Sequence, residues 1–172
     1  MLATENSPLG KKIKSIIEAG HLVPNEVVME IAENFLKKKT KAAGAIFDGI
    51  PRNKEQNETF EALLEKNKRE YTGIYFKLSR DEAETRLLRR RACVNCKNVY
   101  PAIYPKEKGC ERCGGILAVR ADDNPQSVRT RLDIFYKETL PVIEDWKTRG
   151  KILEIDASPT IEKITAQLLK NL

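Results

Sequence analysis

All four cysteines of the chain fall in one segment, as Cys93-x2-Cys96-x13-Cys110-x2-Cys113. Two C-x-x-C pairs at this separation match the ligand spacing of a tetrahedral structural zinc, for which soft thiolates are the natural donors. Four buried thiols or two disulfides are the competing readings, and either makes the tight pairing a coincidence. Iron fits less well, because the spacing matches none of the common cluster runs. An all-thiolate zinc is closed to substrate and acts as a staple. The groups around it that could handle a substrate are arginines: Arg86, Arg89, Arg90, Arg91, Arg112, Arg120, Arg129 and Arg131. Guanidinium forks bind phosphate in bidentate fashion, so arginines gathered from both sides of a rigid insert would form a phosphate clamp. Scattered, they would be a solvated basic surface.

The elements that must position these groups can be read along the chain. Ser7-Pro8 and Gly20 bracket a first helix carrying Leu9, Ile13, Ile16 and Ile17. A second follows Val23-Pro24, with Val27, Val28, Ile31 and Phe35 on one side, and ends in Lys37, Lys38 and Lys39. Residues 45–48 read as a short buried strand, broken by Gly49-Ile50-Pro51-Arg52. Asn53 to Asn67 reads as a helix with Phe60, Leu63 and Leu64 inward, and Tyr71 to Leu78 as a strand. The capping box Ser79-Arg80-Asp81-Glu82 opens a helix to about Arg91. After the cysteine insert, Asn124-Pro125 caps a helix aligned on Val128, Leu132 and Phe135, interrupted at Pro141 and ended by Gly150. Lys151 to Asp156 reads as a third strand, and Ser158-Pro159 opens a last helix with Ile161, Ile164 and Leu168 inward. Short apolar strands alternating with helices predict an α/β protein with a parallel sheet. Trp146 is expected to pack a helix onto the core.

At 172 residues the chain has the size of one domain with a small insert. A net charge of +6 favours anionic partners. No apolar run is long enough to span a membrane, and Met1 to Ser7 lacks the pattern of a secretory leader. Metal-type cysteines point to a reducing, cytoplasmic setting.

Asp48-Gly49-Ile50-Pro51-Arg52 with Gln56 stands where a strand turns into a helix, a position suited to ligand work in an α/β sheet. Taken with Arg86-x3-Arg90-Arg91, the four-cysteine insert, Arg120-x-Asp122-Asp123 and Val128-Arg129-x-Arg131, it resembles adenylate kinases of the zinc-bearing lid type. Leu9-Gly10-Lys11-Lys12 and Ala19-Gly20-His21-Leu22-Val23-Pro24 resemble their monophosphate-binding segment. The likeness runs through essentially the whole chain. It implies a P-loop-kinase-like core with a zinc-binding lid: residues 1–23 from the monophosphate segment, 24–88 and 124–172 the core, and 89–123 the lid. The implied reaction is ATP + AMP to two ADP with Mg2+. Arg52, Arg120 and Arg131 would hold the AMP phosphate or the group in flight. Gln56 would read the adenine of AMP, with His21, Leu22, Val23, Gly49, Ile50 and Pro51 lining that pocket. Arg86 and Arg90 would meet ATP phosphates, and Val99 and Tyr100 its base. Asp48 would hold the magnesium shell, Asp122 and Asp123 would tie down the closed lid, and Arg90 and Asp48 join the other arginines as catalytic groups.

The sequence departs from that family in one respect. No G-x-x-x-x-G-K-[ST] occurs in it, so the amide nest and lysine that cradle nucleotide phosphates are not among these residues. The family's first strand, central in its sheet, is expected to be missing with that loop. The strands at Ala45 and Tyr71 would then have facing edges with unpaired groups, and kinase activity is expected to be slight. The alternative is a non-catalytic nucleotide- or RNA-binding zinc-knuckle protein. Against RNA, only Tyr100 and Tyr104 are available in the insert for stacking bases. A third possibility is a fragment restored by a separate N-terminal piece. A monomer is expected, and nucleic acid is not an expected partner.

Overall fold

The computed structural model describes residues 10–11, 24–38, 44–120 and 123–172. Two compact units divide the chain, residues 1–71 and 72–172. The expected first helix lies outside the described residues except at Gly10 and Lys11, which are helical.

The first unit is built on two helices, α1 (Asn25–Lys37) and α2 (Lys54–Lys66). Asn53 caps α2 by accepting the Gln56 amide at 2.8 Å. Phe60, Leu63 and Leu64 are buried as expected, but α1 is turned by one residue from its expected face. It buries Val27, Met29, Ala32 and Leu36 rather than Val28, Ile31 and Phe35. Val27, Val28, Met29, Ile31, Ala32, Phe35 and Leu36 form a broad apolar arc, so the pattern admits more than one buried stripe. The strand expected at residues 45–48 does not form. Burial does alternate there, with Ala45 and Phe47 partly covered and Ile46 96% exposed. No second strand pairs with the segment among the described residues, and without a ladder partner an extended stretch is not a strand. Phe47 is held instead by edge contacts to Phe35 and Phe60, at 5.8 and 5.1 Å between ring centroids.

In the second unit β1 (Gly73–Lys77) pairs in parallel with β5 (Ile152–Asp156), in register from Gly73↔Ile152 to Lys77↔Asp156. Gly73 is required by close approach. A Cβ there would lie 2.7 Å from Ile152 Cδ1 and 2.8 Å from Trp146 Cε3. Trp146, buried as expected, thus seats α5 (Leu140–Thr148) on the strand pair. Helix α3 (Arg80–Arg89) follows β1, and only half of its capping box forms. Ser79 accepts the Glu82 amide, whereas the Glu82 carboxylate takes Arg86 Nε at 2.8 Å. The insert is a three-stranded antiparallel sheet, with β2 (Arg91–Cys93) between β3 (Val99–Tyr100) and β4 (Leu117–Val119). Helix α4 (Pro125–Ile134) is capped by Asn124 and runs through a π turn at Phe135–Thr139 into α5. The expected interruption at Pro141 is therefore a widened turn, which accommodates a residue that lacks a donor and crowds the preceding turn. Gly150 at φ +67 closes α5. Helix α6 (Ile161–Asn171) has no fully buried residue; Ile164 and Leu168 are half-buried, and Ile161 is exposed.

Candidate active site and metal centre

At the root of the insert, Asp123 is the best-buried charged group among the described residues, with no exposed side-chain surface. Arg90, where α3 ends, donates both prongs of its fork to it, Nε to Oδ2 at 2.9 Å and Nη2 to Oδ1 at 2.7 Å. Arg131 on α4 donates Nη1 to Oδ1 at 3.2 Å, and Arg120 Nε stands 4.0 Å from Oδ2. Chain entering the insert, chain leaving it and the following helix thus each send a guanidinium to one carboxylate. Three guanidinium groups thus gather around one buried carboxylate. A buried carboxylate in bidentate contact fixes the plane of a guanidinium, which a flexible surface arginine lacks.

Arg86 stands apart from that cluster. It donates to the carbonyls of Ala157 at 2.7 Å and Ser158 at 3.0 Å, tying α3 to the segment after β5. Arg129 pairs with Glu84 at 3.1 Å. Within the first unit, Asp48 is exposed and Gly49 adopts φ +72. Arg52 Nε donates to the Gly49 carbonyl at 2.7 Å, and the positive φ of Gly49, which strains other residues, sets that carbonyl's direction. Ile50 and Pro51 are half-buried beside it. Gln56 is buried; its Oε1 accepts the Arg52 amide and its Nε2 donates to Asn25 Oδ1, each at 2.8 Å. Asn25, which the sequence reading passed over, therefore orients Gln56. His21, Leu22, Val23 and Asp122 lie outside the described residues.

The four cysteine sulfurs all lie within 4.8 Å of one another. Tetrahedral zinc with sulfurs at about 2.3 Å requires sulfur separations of roughly 3.8 Å, so the donor set and its size fit. The two knuckles repeat one turn. Lys97 N donates to the Cys93 carbonyl and Gly114 N to the Cys110 carbonyl, with Lys97 and Gly114 at φ +60 and +68. Gly115 is also forced, because a Cβ would lie 2.9 Å from Cys93 Sγ. The Cys96 backbone amide leads in drawing the Cys93 thiol below its ordinary value. The Tyr100 hydroxyl leads in drawing Cys110 down to about 6. At Cys113 the Gly115 amide also lowers the thiol, but Cys93, Cys96 and Cys110 outweigh it and raise it to about 12. Four thiols cannot all shed protons beside one another; a divalent cation at their centre removes that conflict. Of the two expected base-flanking residues, Val99 is exposed, whereas Tyr100 is buried with its hydroxyl 3.2 Å from Cys110 Sγ.

An α/β frame carrying an insert with four converging cysteines, and guanidinium groups gathered at the insert's root, is the equipment of a phosphate-handling protein. A family model described as adenylate kinase matches residues 2–151. An adenylate kinase of Kosmotoga olearia is 37% identical over 168 residues, covering 95% of this chain and 78% of the relative. One of Alkaliphilus oremlandii is 35% identical over 172 residues, covering 98% and 80%. One of Streptomyces coelicolor is 34% identical over 174 residues, covering 98% and 80%. The chain belongs to the adenylate kinase family, and by family it is a phosphotransferase. No helix among the described residues is long and apolar enough to cross a membrane.

Proposed function

We propose that the protein handles ATP, AMP and ADP in the reaction ATP + AMP to two ADP, and that these 172 residues hold the donor nucleotide weakly. In that reaction an AMP phosphate oxygen attacks the γ-phosphorus of ATP in line, and the bond to the β-bridging oxygen breaks. Positioning and charge neutralisation are most of what such a transfer needs. The observation that carries the reading is the cluster of Arg90, Arg120 and Arg131 on buried Asp123. Arg120 and Arg131 are assigned to the AMP phosphate and the group in flight, together with Arg52. Arg90 and Arg86 are assigned to ATP phosphates, with Val99 and the Tyr100 main chain near its base. Gly49, Ile50, Pro51 and Gln56, with His21, Leu22 and Val23, are assigned to the AMP pocket. Asp48 is assigned to the hydration shell of Mg2+, and Asp122 with Asp123 to the closed position of the insert. Cys93, Cys96, Cys110 and Cys113 would hold zinc, which supplies a cross-link rather than a reagent.

Weak donor binding follows from the missing G-x-x-x-x-G-K-[ST], since phosphates lose a nest of amides and a lysine. The RNA-binding reading is disfavoured because both tyrosines that could stack bases serve the interior of the insert. Tyr100 contacts Cys110, and Tyr104 donates to the Gly109 carbonyl at 3.1 Å. Calorimetric titration with AMP and a coupled assay of ADP formation test the proposal. Saturable AMP binding, lost in Arg52→Ala, with slight turnover is the expected result. Salt-sensitive RNA binding indifferent to Arg52 would overturn the kinase reading, and ordinary turnover would overturn the weak-donor part.

A further inference from the structure

The centre of the insert contains a polar contact that the phosphate chemistry does not use. Tyr100 is only 4% exposed, and its hydroxyl lies 3.2 Å from Cys110 Sγ. Its oxygen also accepts the Glu111 backbone amide at 2.9 Å. A phenol has one proton to give, and with the Glu111 amide donating to its oxygen that proton is directed to the sulfur. Strand register sets this arrangement. Tyr100 stands opposite Arg91, on the same sheet face as Cys93 and Leu117, while Val99 next to it faces the other way. Tyr104 packs its ring against that of Tyr100, tilted by 40° with centroids 4.5 Å apart, and donates its own hydroxyl to a carbonyl, not to a thiolate.

We propose that Tyr100 is a positioning residue of the metal centre, donating its hydroxyl proton to the Cys110 thiolate and thereby setting how tightly the metal is held. The proposal rests on the zinc reading above. Donors to a ligand atom hold its orientation and drain charge from it, and losing one typically costs about 10–100-fold in metal affinity. Burial leaves no bulk water to replace the missing donor.

The test is zinc competition against a chromophoric chelator, with the full chain and its Tyr100→Phe and Tyr104→Phe variants. Cobalt(II) substitution adds a spectroscopic readout. Tyr100→Phe is expected to weaken zinc by about tenfold or more and to move the thiolate-to-cobalt charge-transfer bands to lower energy. Tyr104→Phe is expected to leave those bands in place. Should Tyr100→Phe fold poorly, 3-fluorotyrosine at position 100, a stronger donor, is expected to move the bands to higher energy. Unchanged affinity and coincident bands in Tyr100→Phe, with zinc bound by the parent chain, would overturn this inference alone. A parent chain that takes up no zinc would overturn the metal reading and this inference with it.

Discussion

Replacing Asp123 by alanine removes a carboxylate with no exposed surface and leaves the guanidinium groups of Arg90 and Arg131 facing an apolar hole. Three charge-assisted hydrogen bonds are lost, two from Arg90 and one from Arg131. Breaking a buried ion pair by deleting one partner costs about 3–5 kcal/mol. The arginine side chains keep 22% and 48% of their exposure, so both can partly rehydrate, which argues for the lower end. A loss of about 3 kcal/mol in a unit of this size lowers its melting temperature by about 12 °C or more. Urea and thermal unfolding followed by circular dichroism measure it. The cost comes mainly from stranded charge rather than lost attraction, so a companion variant decides the mechanism. Asp123→Leu combined with Arg90→Met is expected to recover about half of the loss or more. If Asp123→Ala stays within about 0.5 kcal/mol of the parent, the range of ordinary surface substitutions, the reasoning fails.

Gly73→Ala should destabilise the second unit by about 1–3 kcal/mol, because the new methyl meets the Trp146 ring and Ile152; urea titration checks it, and no loss would mean the strand can shift freely. On the zinc reading, a strong chelator should unfold the insert sheet, whose buried apolar residues beside the cysteines, among the described residues, are Tyr100 and Leu117. Hydrogen exchange at Leu117 to Val119 should rise on chelation and recover with zinc. Lys147 and Lys77 hydrogen-bond Glu154 and hold its carboxyl below the ordinary 4.5. Its contribution is therefore present above that value and fades as pH falls through the lower native one, so Glu154→Gln should flatten the acid side of the stability profile. An unchanged acid limb would assign that sensitivity to other carboxylates.

The convergence of the four cysteines was legible because their spacing alone constrains it, and so was the parallel pair β1–β5, whose apolar runs sit between clear helix signals. The role of Asp123 was not. The family likeness assigns it to lid closure, whereas in the folded chain it first serves as the buried acceptor for arginines from both sides of the insert. A lone aspartate carries no local sign of burial; that depends on three separate segments meeting. Tyr100 was hidden for a related reason. In a two-residue strand, neighbouring residues point to opposite faces, and only register decides which one meets the cysteines. Residues 45–48 show the converse, with a strand-like alternation in burial but no ladder partner among the described residues.

Titrating the chain with a bisubstrate made of two adenosines joined by five phosphates, alongside its Arg120→Ala variant, tests the central claim most directly. Arg120 stands 4.0 Å from Asp123, whereas Arg90 and Arg131 hydrogen-bond it, and thermal unfolding of the variant checks that its fold is kept. The account predicts one-to-one binding that Arg120→Ala weakens by about tenfold or more, as expected for removing a charged phosphate contact. Absence of binding, or equal binding by both proteins, would contradict it.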